Sequence, residues 1–282
     1  MAATFVVVPQ WQGSGSSRAM RLIDGADAIR GDLPASATRV VAVPMEAGEQ
    51  LDSGVARYAS LAAVRAAQRS VLADVDGPAI TIGGDCGVEL GAVEHALDRF
   101  GSDTALVWFD AHPDLNTPES SPSGAFHGMV LRALLGDGAA GLALGPELAL
   151  PPSRVVLVGT RAADEPEDAF IASAGVPRLS PGDLGGDAGS AASAVVAAVR
   201  ATGARRVYVH VDLDVLDPGD VRGLGYPEPF GLNVPALVAS IAALREEFEL
   251  AGAGITEFAP ASPDDATDDL GTILRIIGAL TR

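Results

Sequence analysis

An α/β fold is predicted: three layers, α/β/α, with helices on both faces of a single mostly parallel sheet. Three features predict it. Short β-branched runs alternate along the chain with longer, alanine-rich amphipathic stretches. The short runs are apolar throughout, as strands are when helices cover both faces of a parallel sheet. No change of composition and no linker divides the 282 residues, so 1–282 reads as one domain of right-handed β-α-β crossovers.

In chain order, the strand at 4–8 is TFVVV and the next, at 39–43, is RVVAV. An alanine-rich helix over 54–72 leads to the strand AITI at 79–82, and a helix over 88–100 leads to ALVWF at 105–109. After a helix at 127–136 come RVVLV at 154–158, a helix at 188–202 and RVYVHV at 206–211. A helix at 234–248, the strand GITEF at 254–258 and a helix at 268–281 complete the pattern. Gly/Pro/Ser-rich stretches at 115–125, 136–152 and 219–233 read as loops.

The formal net charge is -18, which argues against nucleic acid or an anionic membrane as partner. A single cysteine rules out an intramolecular disulfide. The opening MAATFVVVPQWQG has no basic n-region or long apolar stretch, so it does not read as a signal peptide. No apolar run approaches the ~20 residues that span a bilayer. The expected location is the cytoplasm.

Polar residues gather where the apolar runs end, at the carboxyl edge where open α/β sheets build their sites. TIGGDCGVE at 81–89 puts Asp85 and Cys86 after a strand and a glycine turn. In LVWFDAHPDLN, 106–116, Asp110, His112 and Asp114 recur at every second position. In VYVHVDLDVLDPG, 207–219, His210, Asp212 and Asp214 do the same, followed by Asp217. Period two puts alternate side chains on one face of a strand. Buried carboxylates at this density repel one another and lose hydration at high cost, and a divalent cation is the usual remedy. Single acids of this kind often cap turns; two such clusters ending two apolar strands point to metal. Four carboxylates with one imidazole favour Mn²⁺ or Mg²⁺ over Zn²⁺. A carboxylate from each strand would bridge two ions that share a water ionising near neutral pH.

The motifs GGDC, DAHPD, the later HG and HVDLDVLDP, followed by a late glutamate, resemble those of the ureohydrolases, the arginase and agmatinase family. The resemblance runs from about residue 40 to the carboxyl end. It implies an arginase-like fold with an eight-stranded sheet, and a manganese-dependent hydrolase that cuts a guanidino carbon–nitrogen bond. It further implies that Asp110 and Asp212 bridge two manganese ions, that Asp114 completes the shell of one, and that His112 with Asp214 completes the other's. His127, in FHGMV, matches the family's proton-shuttling histidine, and Glu257, in ITEFAP, the carboxylate that holds the guanidinium. Asp114 would also pass a proton to the leaving nitrogen. Asn116 and Ser123, in DLNTPESSPSGAFHG, match contacts to a substrate α-carboxylate. Asp164 falls where arginases place an acid near the α-ammonium, with Glu167 behind it, although Asp164 alone reads equally as a loop acid. The implied substrate is an α-amino acid with a guanidino-like tail. Trimers or hexamers are common among related enzymes, so a homo-oligomer is expected.

Cys86 departs from the family, which has histidine there. A thiol is a soft ligand for hard Mn²⁺ and must lose its proton to bind. One ion is therefore expected to be tight and the second weakened, with Cys86 either a thiolate ligand or idle. His210 is either a partner to a ligand carboxylate or a packed core histidine. Ala125 replaces an asparagine usual in arginases. A weakened site suits a less basic guanidine, and the arginine-only, alanine-rich composition is that of a GC-rich genome. On these grounds the chain looks closest to the family members that convert Nω-hydroxy-L-arginine to L-ornithine and hydroxyurea in D-cycloserine biosynthesis. An ordinary arginase, an agmatinase or guanidino-acid hydrolase, and a non-catalytic amino-acid-binding homologue are the alternatives.

Overall fold

The structure, a computed structural model, describes residues 3–101 and 103–282. Eight strands form one sheet, in the order β2-β1-β3-β8-β7-β4-β5-β6. They are β1 (Thr4–Val8), β2 (Thr38–Val40), β3 (Ala79–Gly83), β4 (Thr104–Phe109), β5 (Val155–Val158), β6 (Arg178–Leu179), β7 (Arg206–Asp212) and β8 (Glu249–Thr256). Every pairing is parallel.

The helices are α1 (Arg21–Gly31), α2 (Tyr58–Leu72), α3 (Glu89–Phe100), α4 (Val130–Leu134), α5 (Glu165–Ala174), α6 (Ala188–Ala201), α7 (Val234–Glu247) and α8 (Pro263–Thr281). Side chains that alternate along each strand divide the core. Val107 and Phe109 of β4 pack with apolar residues of α6, α7 and α8, while Leu106 and Trp108 pack with those of α3 and α4. Helices α1, α6, α7 and α8 thus cover one face, and α2 to α5 the other. The predicted three layers are present. No helix among the described residues is long and apolar enough to cross a membrane.

Four elements depart most from the sequence expectation. The two-residue edge strand β6 is too short to carry a period. Strand β8 spans Glu249–Thr256, not 254–258: its opening ELAGA has too little β-branched character to read as strand, and Glu257 lies just past its end. The glycines there make room for neighbours: a Cβ at Gly254 would stand 1.6 Å from Glu89 Oε1, and one at Gly252 would stand 2.8 Å from the Tyr208 ring. Helices α1 and α5 went unread. The start of α5 does carry a signal, an Asp164/Glu167 capping box with proline in the first turn.

Candidate metal and substrate site

Strands β3, β8, β7 and β4 are neighbours in the middle of the sheet, and their carboxyl ends meet at one place. Past β3 a 3₁₀ turn over Cys86–Val88 carries Cys86. Past β4 come Asp110, His112 and Asp114. Strand β7 ends on Asp212, and a 3₁₀ turn over Leu213–Val215 carries Asp214. Glu257 follows β8. At Asp114 and Glu257 the backbone is left-handed, with φ of 52° and 64°. Such a conformation costs a non-glycine residue about 1–2 kcal/mol. Both acids are buried all the same.

The site has an oxygen-rich side. Asp110 Oδ1 accepts the backbone N–H of His112 at 2.7 Å, and Oδ2 accepts the indole N–H of Trp108 at 3.0 Å. His112 Nδ1 lies 3.0 Å from Asp214 Oδ2 and 3.7 Å from Asp110 Oδ1. Asp214 Oδ1 accepts from Ala111 N–H at 3.1 Å, and Asp212 Oδ1 from Asp214 N–H at 2.8 Å. Asp110, His112 and Asp214 each offer one atom within 4.8 Å of the others.

Cys86 forms the other side. Its thiol donates to Asp212 Oδ2 at 3.2 Å and lies 3.2 Å from Thr256 Oγ1, and its backbone N–H donates to Glu257 Oε1 at 3.2 Å. It shares one potential cation-holding group with Asp212 and Glu257, and another with Asp110 and His210. The thiol is therefore woven into the cluster.

Burial, joined by mutual repulsion, raises the pKa of Asp114, Asp212, Asp214 and Glu257. Burial opposes ionisation of Asp110 too, but His112 and His210 outweigh it and hold that carboxyl below its usual range. Burial likewise disfavours the His112 imidazolium, yet Asp110 and Asp214 carry its pKa well up. Burial and then the Asp212 carboxylate push the Cys86 thiol up. Asp114 Oδ2 and Glu257 Oε2 are buried without a partner. Protons held this tightly, beside unsatisfied carboxylate oxygens, mark a place a divalent cation fits. Asp114 itself stands outside the three groups whose atoms already converge.

A cavity of about 280 Å³ opens beside the cluster, lined by His112, Asp114, Asn116, Ser123, His127, Asp164, Glu167 and Tyr226. The structure thus brings Asn116, Ser123, Asp164 and Glu167 together around one cavity, while Glu257, also expected to hold the substrate, stands beside His127 and lines a neighbouring cavity. Asp164 is no free loop acid: it caps α5, with Oδ1 accepting Glu167 N–H at 3.2 Å and Oδ2 accepting the Asn116 amide at 2.9 Å. Glu167 returns the cap and also accepts Leu115 N–H at 2.9 Å. Asn116 Oδ1 accepts the Ser120 hydroxyl at 2.7 Å, and Ser123 Oγ accepts Ala125 N–H at 3.1 Å. His127 lies in the 3₁₀ turn over Phe126–Met129 that leads into α4. Its Nδ1 lies 3.6 Å from Glu257 Oε1, and its ring stacks on Tyr226. Burial, and then the nearby His112 charge, lower its pKa to about 4.

Sequence reasoning missed four residues around the site. Tyr226 lies in a loop without a motif, while Trp108 and Tyr208 read as plain core. Glu89 closes the TIGGDCGVE segment, but nothing in the sequence alone distinguishes it from a first-turn helix acid.

Comparison with known proteins gives the class to which this fold and site belong. The chain belongs to the arginase family, whose model matches residues 16–276, and is thus a hydrolase of guanidino or amidino carbon–nitrogen bonds. It is similar to the arginase of Bacillus caldovelox, 30% identical over 250 residues, covering 84% of this chain and 82% of that one. The N(omega)-hydroxy-L-arginine amidinohydrolase of Streptomyces lavendulae is 32% identical over 220 residues, covering 77% of this chain and 74% of that protein. Among solved structures, native Bacillus caldovelox arginase superposes with a TM-score of 0.84 at 25% identity, covering 100% of this chain and 98% of that one. Entamoeba histolytica arginase in complex with L-ornithine gives 0.84 at 23% identity over 99% and 97%, and shows the shared fold.

Proposed function

We propose that the chain is a manganese-dependent amidinohydrolase of an α-amino acid, converting Nω-hydroxy-L-arginine and water to L-ornithine and hydroxyurea. The observation that carries this reading is the engagement of Cys86 with Asp212 and Glu257 in the metal-fitting cluster, beside a cavity whose walls suit an amino-acid head group. A thiol in the cluster weakens the position for Mn²⁺. That loss matters less for an N-hydroxyguanidine, which is less basic than arginine's guanidinium. The Streptomyces relative at 32% identity supports the same substrate.

Asp110, His112, Asp114, Asp212 and Asp214, with Cys86, would hold the metal. Bound there, manganese supplies positive charge that eases ionisation of water and offsets charge developing in the transition state. The chain's own groups do the rest. Glu257 Oε2, unpartnered, accepts N–H groups of the tail. Asn116 and Ser123 meet the α-carboxylate, and Asp164 with Glu167 lies on the α-ammonium side, which lowers the barrier by positioning. Water adds its oxygen to the guanidino carbon, and the bond from that carbon to the δ-nitrogen breaks. Asp114 carries a proton from the water to the leaving nitrogen. His127, neutral at pH 7, exchanges protons with solvent.

The arginase of Bacillus caldovelox, matched over more of this chain, keeps L-arginine as the second reading. Assaying the Mn²⁺-loaded protein with both substrates for ornithine, with metal counted per chain, separates them. Higher kcat/KM for hydroxyarginine supports the proposal; equal or higher kcat/KM for arginine makes the chain an arginase.

A further inference from the structure

Strand β7 aims Tyr208, His210 and Asp212 to one face, and His210 is wholly buried beneath the carboxylate cluster. Its Nε2 stands within a long hydrogen bond of Cys86 Sγ, at 3.8 Å, and 3.7 Å from Asp110 Oδ2, too far for a hydrogen bond between nitrogen and oxygen. Donors around one ion with ~2.0–2.3 Å bonds stand roughly 3.4–3.6 Å apart in tetrahedral geometry. His210 Nε2 therefore stands only slightly farther from each neighbour than co-ligands of one ion do, and Cys86, Asp110 and His210 each offer an atom within 4.8 Å of the others.

The far side of the ring is prepared in the same sense. Nδ1 faces Glu89 Oε1 at 3.3 Å, without the alignment of a hydrogen bond, and both atoms otherwise lack a partner. Glu89, itself fully buried, accepts the Tyr208 hydroxyl on Oε2 at 2.6 Å. It occupies the space that Gly254, lacking a Cβ, leaves open. Trp108 stacks on the imidazole with centroids 3.5 Å apart and planes 21° apart. A carboxylate behind a histidine that faces a cluster of donors is the arrangement that orients metal-binding imidazoles.

We propose that His210 is a metal ligand, supplying from β7 an imidazole beside the Cys86 thiol. With Cys86 and Asp110 it makes a nitrogen–sulfur–oxygen position beside the oxygen-rich one of His112 and Asp214. This rests on the metal-dependent reading of the site. Sulfur and nitrogen donors favour softer ions, so this position takes Co²⁺ or Zn²⁺ in preference to Mn²⁺. Binding expels the Cys86 thiol proton to solvent as the sulfur–metal bond forms.

Cobalt is the probe. Titrating the metal-free protein with Co²⁺ is expected to produce thiolate-to-cobalt absorption in the near ultraviolet, with release of a proton. Proton NMR of the cobalt-loaded protein is expected to show a hyperfine-shifted, slowly exchanging imidazole N–H that His210→Gln removes. Should that variant not fold, Glu89→Gln is expected to weaken the thiolate-linked ion by roughly 10–100-fold. Unchanged affinity of that ion in both variants, or cobalt binding without any thiolate absorption, overturns the role of His210 and leaves the hydrolase reading standing. Thiolate-linked cobalt lost in His210→Gln, in a protein that turns over neither substrate, upholds His210 and overturns the substrate assignment instead.

Discussion

The amide of Asn116 donates to Asp164 Oδ2 at 2.9 Å, joining the loop after β4 to the first turn of α5. This contact fixes two groups of the cavity wall against each other, and the Glu167 cap locks the second. On the proposed function, Asn116→Ala removes a donor for the α-carboxylate. A hydrogen bond to a charged group is worth ~1.5–3 kcal/mol, so KM for the amino-acid substrate is expected to rise roughly ten- to hundredfold. Turnover of a guanidine without the carboxylate, such as agmatine, should stay where it was. Equal losses on both substrates would show that the residue serves the loop alone.

Asp214 is held by Ala111 N–H and faces His112. Asp214→Asn is expected to lower the metal content per chain and to cut kcat at least a hundredfold. Chelation of the wild type should lower its Tm. With free Mn²⁺ at 100 times the Kd, about 2.7 kcal/mol of stability should return. Calorimetry with and without chelator checks both, and a Tm indifferent to metal counts against the site.

His127 sets an acid sensitivity in the metal-free protein. Its folded pKa of about 4 lies below the unfolded 6.5, so the unfolded state takes the proton first as pH falls. Its contribution is fully present above pH 6.5 and is lost progressively toward pH 4, with a slope of at most ~1.4 kcal/mol per pH unit. Urea unfolding between these limits, compared with His127→Gln, should show the shallower slope in the variant.

Trp108 gives its indole N–H to buried Asp110 Oδ2 at 3.0 Å. Trp108→Phe keeps an aromatic ring over His210 but strips that oxygen of its donor. Loss of stability by ~1–3 kcal/mol is expected in the metal-free protein. Denaturant unfolding measures it, and a neutral substitution would mean the carboxylate finds another donor.

The layers and the acidic clusters were legible because both rest on period: apolar runs for the strands, and every-second-residue acids at their ends. Strand β8 hid its first half because Gly252 and Gly254 answer to Tyr208 and Glu89, which are far away in sequence. The same distance concealed Glu89 itself, whose meaning depends on His210 across the sheet. Asp164 was placed by resemblance to the arginases, but its capping of α5 is a local fact the sequence already spelled in Asp164-x-x-Glu167.

The last strand in chain order, β8, lies between β3 and β7, in the middle of the sheet. During synthesis, therefore, β2-β1-β3 and β7-β4-β5-β6 must wait as two separate halves, each with an open apolar edge. Neither half can complete the metal cluster, since Cys86 emerges with one and Asp110, His112, Asp212 and Asp214 with the other. Such late, distant closure makes for slow folding and a period of exposure to aggregation. Nascent chains released before residue 249 should be chaperone clients, and the arrival of β8 should be the step that brings Cys86 and Glu257 against the carboxylates of the other half.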